Sequence, residues 1–448
     1  MNVKAYTLKE LDLAVMRIRD VLEGMNAMVR VANWEMGEAL RSCFPVADDR
    51  LGEKRDKLFP SSAVRDSYPF ILSSLEDGGE GAVVVGYNQL NGIPVLLDIF
   101  QQPNPHVLVL GSSGSGKSFL VKKLLLSEAM QGVEIYVVDP QGEYSGVVEK
   151  MGGEVIRLAP DSMNVINLFD ISHDTYDGRK SSIKAFFNIV RAGMDEKLSG
   201  SAAGVVDKMI DNAYRKAGIY PEDPETWGRR CPTFSDVYAA LNQFASESNS
   251  TADHWRKSAA EALIAQITPF VGGDMRYLNQ ETTVDLAGKN IVCFDISHSC
   301  AYKPHERALA LFIVFDHIQS RLRGCGRDRR KMIIVDEAWS VFENNQDYVG
   351  PIVRTGRKEN LSVVMIDQNV EDLLARDEAG RPRGHVVLNN TSTKFILRQE
   401  AAALKLVGEK FALTESQMDF VQNAGPGDVL MLTPNIKLPL FVLASEYE

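Results

Sequence analysis

The sequence predicts an α/β fold, a mainly parallel sheet covered by helices on both faces and interrupted by an all-helical insertion. Three observations carry this. Short apolar runs alternate with helical patterns through much of the 448-residue chain, as crossover-connected parallel strands require. One run, Val107 to Leu110, passes through a glycine-rich turn straight into a helical pattern at Val121, Leu124, Leu125 and Ala129. From about Thr175 to Arg276 the β signal nearly vanishes, and helical spacing takes over at Ser181 to Val190, Ala202 to Ala217, Phe234 to Phe244 and Ala259 to Phe270.

Taken in order, Thr7-Leu-Lys-Glu10 is a capping box that opens a helix. Leu8, Leu11, Val15, Ile18, Leu22, Met25 and Val29 then form an apolar seam, which suits a helix packed along another in its own domain or an intermolecular coil. Residues 32–75 read as a short helix and a polar linker, so residues 1–75 are N-terminal helices and linker. Residues 76–174 open the sheet domain, 175–276 are the insertion, and 277–448 complete the domain. Gly81 to Phe100 looks like a hairpin leading towards the Val107 strand, with Asn91-Gly92 at its turn. Val133 to Val138, Glu154 to Leu158, Ile291 to Ile296, Lys331 to Asp336, Leu361 to Ile366, Lys394 to Leu397, Val429 to Thr433 and Leu438 to Leu443 are further strands. Glu306 to Leu322 is a helix.

The chemistry starts at Gly111-Ser112-Ser113-Gly114-Ser115-Gly116-Lys117-Ser118. It fits G-x-x-x-x-G-K-[ST] between a strand and a helix, the context that makes this motif a phosphate-binding loop. Backbone amides from Gly111 through Phe119 would close on phosphate oxygens, aided by the positive helix N-terminus. Lys117 would reach the β- and γ-phosphates, and the Ser118 hydroxyl would ligate Mg²⁺. Met332-Ile-Ile-Val-Asp336-Glu337 is an apolar strand ending in two carboxylates. Asp336 there would orient Mg²⁺ and its waters, and Glu337 would take a proton from an attacking water. Leu361 to Ile366 is the natural strand between these two, with Gln368 at its end facing the γ-phosphate. Arg354 and Arg357 are three apart on a helix and would share a face. Two forked donors suit charge building on a phosphoryl group, or else they cap a helix C-terminus. Together these residues predict a RecA-like P-loop ATPase using ATP and Mg²⁺.

The net charge of −11 argues against a surface that coats nucleic acid throughout, while leaving room for a local basic groove and hence DNA as a partner. The cluster from Arg321 to Lys331 is the strongest candidate for such a contact, or a solvated loop. Five cysteines without C-x-x-C spacing suit a reducing cytoplasm better than a disulfide framework or zinc site. No apolar run approaches the ~20 residues of a membrane helix.

The same motifs carry a resemblance. Gly111 to Ser118, Asp139-Pro-Gln-Gly-Glu-Tyr144, Asn167-Leu-Phe169, Val335-Asp-Glu-Ala-Trp339, Arg354-Thr-Gly-Arg-Lys358 and Asp367-Gln-Asn-Val-Glu-Asp-Leu-Leu374 come in an order that resembles the VirB4 and TraC ATPases of type IV secretion systems. The likeness runs from about Gly78 to the C-terminus; Ser113 and Asp367 depart from the usual Thr and Thr/Ser. It implies a conjugation or secretion motor, hexameric when active and cytoplasmic, docked at the inner membrane through other secretion components. It also implies a short member or a C-terminal fragment, since residues 1–75 match only the last helices of the usual N-terminal domain. Alternatives are a DNA translocase of the related HerA and FtsK type, and a nucleotide-gated assembly scaffold with little turnover. In a ring, loop arginines Arg276, Arg327, Arg381 and Arg383 are candidate donors to a neighbour's site.

Overall fold

The computed structural model describes residue 3, residues 5–24, 34–42 and 79–443, apart from 173, 193–199, 248–253, 287, 299–303, 325, 339–349, 351, 369 and 375–383. The chain divides into two compact units, Met1–Leu72 and Ser73–Glu448. In the first, helix α1 (Leu8–Gly24) opens with the expected capping box: Glu10 N donates to Thr7 Oγ1 and Thr7 N to Glu10 Oε2, both at 3.2 Å. Leu11, Val15 and Ile18 of the seam are half-buried, while Met25, Val29 and residues 43–75 of the linker lie outside the described residues. A second helix, α2, spans Met36–Ser42.

The second unit is built on an eleven-stranded sheet among the described residues, ordered β2-β1-β11-β10-β9-β3-β8-β7-β4-β6-β5. The strands are β1 (Val83–Asn88), β2 (Pro94–Leu97), β3 (His106–Leu110), β4 (Glu134–Asp139), β5 (Glu154–Arg157), β6 (Ile291–Asp295), β7 (Lys331–Val335), β8 (Leu361–Asp367), β9 (Thr391–Ile396), β10 (Asp428–Leu432) and β11 (Lys437–Phe441). From β9 to β5 every neighbouring pair is parallel. β10, β11, β1 and β2 extend it as antiparallel neighbours. The β1–β2 hairpin forms, with Gly92 alone taking positive φ (72°) in its turn. It lies on the outer edge of the sheet beyond β11, and the chain runs on from it into β3.

Side chains alternate across the sheet with the period of two that strands impose. Val107, Val109, Met332, Ile334, Val364 and Ile366 face one core with Leu120, Leu124 and Leu125 of α3 (Lys117–Met130). Leu108, Leu110, Ile333, Val335, Val363 and Met365 face the other. This second core runs on into the stretch between β5 and β6, which holds α5 (Tyr176–Ala192), α6 (Gly200–Lys216), α7 (Phe234–Glu247) and α8 (His254–Gly272); the short α4 (Ser145–Lys150) precedes β5. No strand occurs among the described residues there. The seam with the sheet is α9 (Pro304–Gly324): Phe312 lies 5.9 Å, ring to ring, from Phe186 of α5. Beside it Arg179 is buried, paired with Asp316 of α9 and donating to Leu168 O at 3.1 Å. Arg323 of α9 pairs with Asp174 at 3.2 Å.

Candidate nucleotide site

The parallel strands all end on one edge of the sheet, and the predicted phosphate loop, Asp336, Glu337 and Gln368 collect there. β8 lies between β3 and β7, as the two motifs required. Past Leu110 the chain turns sharply, with Gly111 N donating to Asp367 O at 3.3 Å and Ser112 N to Arg398 O at 2.9 Å. A Cβ at Gly111 would stand 2.5 Å from Ser115 Oγ and 2.9 Å from Leu397 Cβ, so only glycine allows this approach. Gly114 and Gly116 take φ of 70° and 98°, the left-handed backbone that curls the loop round before α3 begins at Lys117.

The Lys117 ammonium is folded into its own loop, donating to Gly111 O at 2.7 Å and Ser112 O at 3.1 Å. Burial pushes it below the usual lysine range, opposed by the carboxylates of Asp336, Asp367 and Glu143. Four chain segments therefore bring charge to one point. Asp336 is buried, and desolvation raises its carboxyl to about 6; the bond from Glu337 N opposes this, and the nearby Glu143, Asp139 and Glu337 add to it. That bond, to Asp336 Oδ1, measures 2.9 Å. Glu337 itself sits at φ 48°, a left-handed backbone that a residue with a Cβ adopts only when its surroundings hold it there. Gln141 Nε2 donates to one oxygen of its carboxylate and an Arg307 guanidinium nitrogen to the other.

The loop after β4 was seen in the sequence as part of a pattern, without a role. Asp139 organises it: Oδ1 accepts from Gly142 N at 2.8 Å and Glu143 N at 3.1 Å, and Oδ2 from Tyr144 N at 2.8 Å. This wraps the chain so that Glu143 faces Lys117 and Asp336, and Gln141 meets Glu337. Gln141, Glu143 and Arg307 are thus site residues that sequence reasoning missed. Asp-Pro-x-Gly at a strand end signalled the turn, but nothing local signalled its target.

Gln368 is exposed at the end of β8, its N–H donating to Asp367 Oδ1 at 2.7 Å. The departure at Asp367 adds a further carboxylate near Lys117. Arg354 and Arg357 are a different matter. Both are exposed, and they precede β8 at the opposite edge of the sheet. Nε2 of His106, the first residue of β3, contacts Val353 O at 2.7 Å, and Gly356 packs against the same ring. The structure does not bring either arginine to this chain's own loop, because a chain passing from the end of β7 to the start of a parallel β8 must first return to the lower edge. Arg327 pairs with Glu359 at 3.4 Å, and Arg381 and Arg383 lie outside the described residues.

The residues fit a nucleotide with its metal. Ser115 Oγ is buried in the loop with no hydrogen-bond partner, and a hydroxyl at Ser118 with a carboxylate at Asp336 is the oxygen donor set a hard divalent cation takes. A phosphate cradle at the end of β3, with its acidic strand one place removed, defines a RecA-like P-loop NTPase fold. More particularly, residues 85–425 match the TraG P-loop domain, and the chain belongs to that family.

Protein TraC of Escherichia coli (strain K12) is 22% identical over 70% of this chain and 34% of its own length. The type IV secretion system protein CagE of Helicobacter pylori is 23% identical over 70% of this chain and 33% of its own. The chain thus spans about a third of the length of these curated relatives. Among solved structures, VirB4 of Thermoanaerobacter pseudethanolicus superposes with a TM-score of 0.71 at 24% identity, over 84% of this chain and 99% of that one.

Proposed function

We propose that the chain is the ATP-hydrolysing motor of a type IV secretion or conjugative transfer system. The observation that carries this is the convergence on Lys117 of carboxylates from the ends of β4, β7 and β8, with Glu337 beside them. A site built only to hold nucleotide has no use for that hydrolytic set. Membership of the TraG P-loop family and the likeness to CagE support the secretion setting.

In this reading the amides from Gly111 to Phe119 cradle the phosphates, and Lys117 leaves its loop carbonyls for the β- and γ-phosphates. Ser118 and Asp336 would hold Mg²⁺, which when bound would neutralise phosphate charge. Gln368 orients the attacking water and Glu337 takes its proton. Arg354 and Arg357, facing out from the lower edge, act on a neighbouring subunit's nucleotide in a hexamer. Docking at the inner membrane is through other secretion components; no helix among the described residues is long and apolar enough to cross a membrane.

The test is Mg²⁺-dependent ATP turnover of the full chain at several protein concentrations, with and without DNA. Specific activity should rise with concentration as subunits complete one another's sites. Glu337→Gln should bind ATP, stop hydrolysis and, mixed into wild type, depress activity by more than its mole fraction. Hydrolysis by Glu337→Gln within twofold of wild type overturns the assignment, and strong DNA stimulation turns it towards a DNA translocase.

A further inference from the structure

The contacts of Glu337 point to a restraint that the hydrolytic reading does not supply. A carboxylate that takes a proton from water must turn an oxygen towards that water. Here Oε1 accepts from Gln141 Nε2 and Oε2 from Arg307, so each oxygen faces a donor of the protein. One donor is a guanidinium, whose bond to a carboxylate is among the stronger kinds. With Arg307 in place, an arriving proton would set two positive charges on one anion.

The holders come from two separate elements. Gln141 is on the loop that Asp139 ties together, and Arg307 is on the first turn of α9, where the helix dipole also favours an acidic neighbour. Further along the same helix, Asp316 is joined to Arg179 of the helical stretch. About nine residues separate Arg307 from Asp316, roughly 13 Å of helix, so a shift of the insertion moves the group that holds Glu337.

We infer that Gln141 and Arg307 are positioning residues that hold Glu337 away from the attacking water, and that turnover requires α9 to release it. This rests on Glu337 being the base proposed above. The pair is partly open to solvent, with 31% of the Arg307 side chain and 26% of that of Glu337 exposed, so the restraint is of modest size.

The experiment compares steady-state ATP turnover of the full chain with binding of a fluorescent non-hydrolysable ATP analogue. Arg307→Ala should raise kcat about fivefold, the most that a solvent-open ion pair contributes, with the analogue's Kd within twofold of wild type. Arg307→Lys, keeping the charge but not the fork, should fall between. Glu337→Gln added to Arg307→Ala should remove the gain, showing that it runs through the carboxylate. A merely structural arginine would lower kcat and Tm together. Should Arg307→Ala not fold, Gln141→Ala at an exposed position carries the same expectation of raised kcat. Active wild type with kcat unchanged or lowered in both variants overturns the restraint alone. No hydrolysis by any variant overturns the ATPase reading and the restraint with it.

Discussion

The two edges of strands β3 and β8 lie roughly 15 Å apart at the rise of a strand, and they treat polar groups in opposite ways. At the upper edge charges are crowded and kept: Lys117 among Asp336, Asp367 and Glu143, with Glu337 in a left-handed backbone. At the lower edge His106, Asp98 and Glu128 are neutral or matched. His106 accepts from Val363 N at 3.0 Å through Nδ1 and meets Val353 O at 2.7 Å through Nε2, so the neutral ring serves both. Burial raises the Glu128 carboxyl to about 8, with Asp98 adding to it, and Arg330 offsets part while pairing with Asp98 at 2.9 Å. The difference separates stability from chemistry. Charge left in tension marks the edge built to meet a ligand; charge removed by proton or partner marks the edge that holds strands in place.

The largest effect expected is at the upper edge. Lys117→Ala should take ATP turnover to background, a loss of at least ~10³-fold on the scale of lost phosphate clamps, while the melting temperature holds. Turnover within twofold of wild type would break the contrast at once. Next come the arginines that face out below. Arg354→Ala or Arg357→Ala should cost on the order of 10³-fold in turnover of the assembled ring and leave nucleotide affinity of the dilute chain untouched. If affinity of the dilute chain falls instead, the lower edge is not separate from the chain's own site. Lysine should rescue neither, because a point charge lacks the fork.

The smallest effect is on stability alone. Burial lowers the His106 imidazole from 6.5 to about 4, partly offset by its bond to Val353. Between those values the unfolded chain takes up a proton that the folded chain refuses. The stabilisation is therefore complete above pH 6.5 and is lost as pH falls towards 4, on the order of 3 kcal/mol across the window. Urea midpoints at pH 7 and pH 5 should show a fall in wild type that shrinks in His106→Asn, with turnover at pH 7 unchanged per folded molecule. An equal fall in both would remove His106 from the account.

The upper edge was largely legible in the sequence because its signals are local. A glycine loop between strand and helix, and an apolar strand ending Asp336-Glu337, each carry their meaning within a dozen residues, and together they called for β8 between them. The residues that were missed act at a distance: Gln141 and Arg307 meet Glu337 across 196 and 30 positions of chain. For Arg354 and Arg357 the local reading gave a shared face but not the edge. That followed from chain direction, since residues just before a parallel strand sit at its lower end. The turn at Asn91-Gly92 made β1 and β2 legible as an antiparallel hairpin, but alternation has the same period in either direction, so the sense of β10 and β11 and the outer position of the hairpin were not legible.

Arg179 gives the insertion its mechanical character. Only 3% of its side chain is exposed, as for Asp316 opposite, and parting a buried pair leaves a bare charge, a penalty of about 3–5 kcal/mol. The helical stretch therefore does not swing on this seam like a door. It is keyed to α9 as a handle is keyed to a shaft, and the same shaft carries Arg307 to Glu337 at the nucleotide edge.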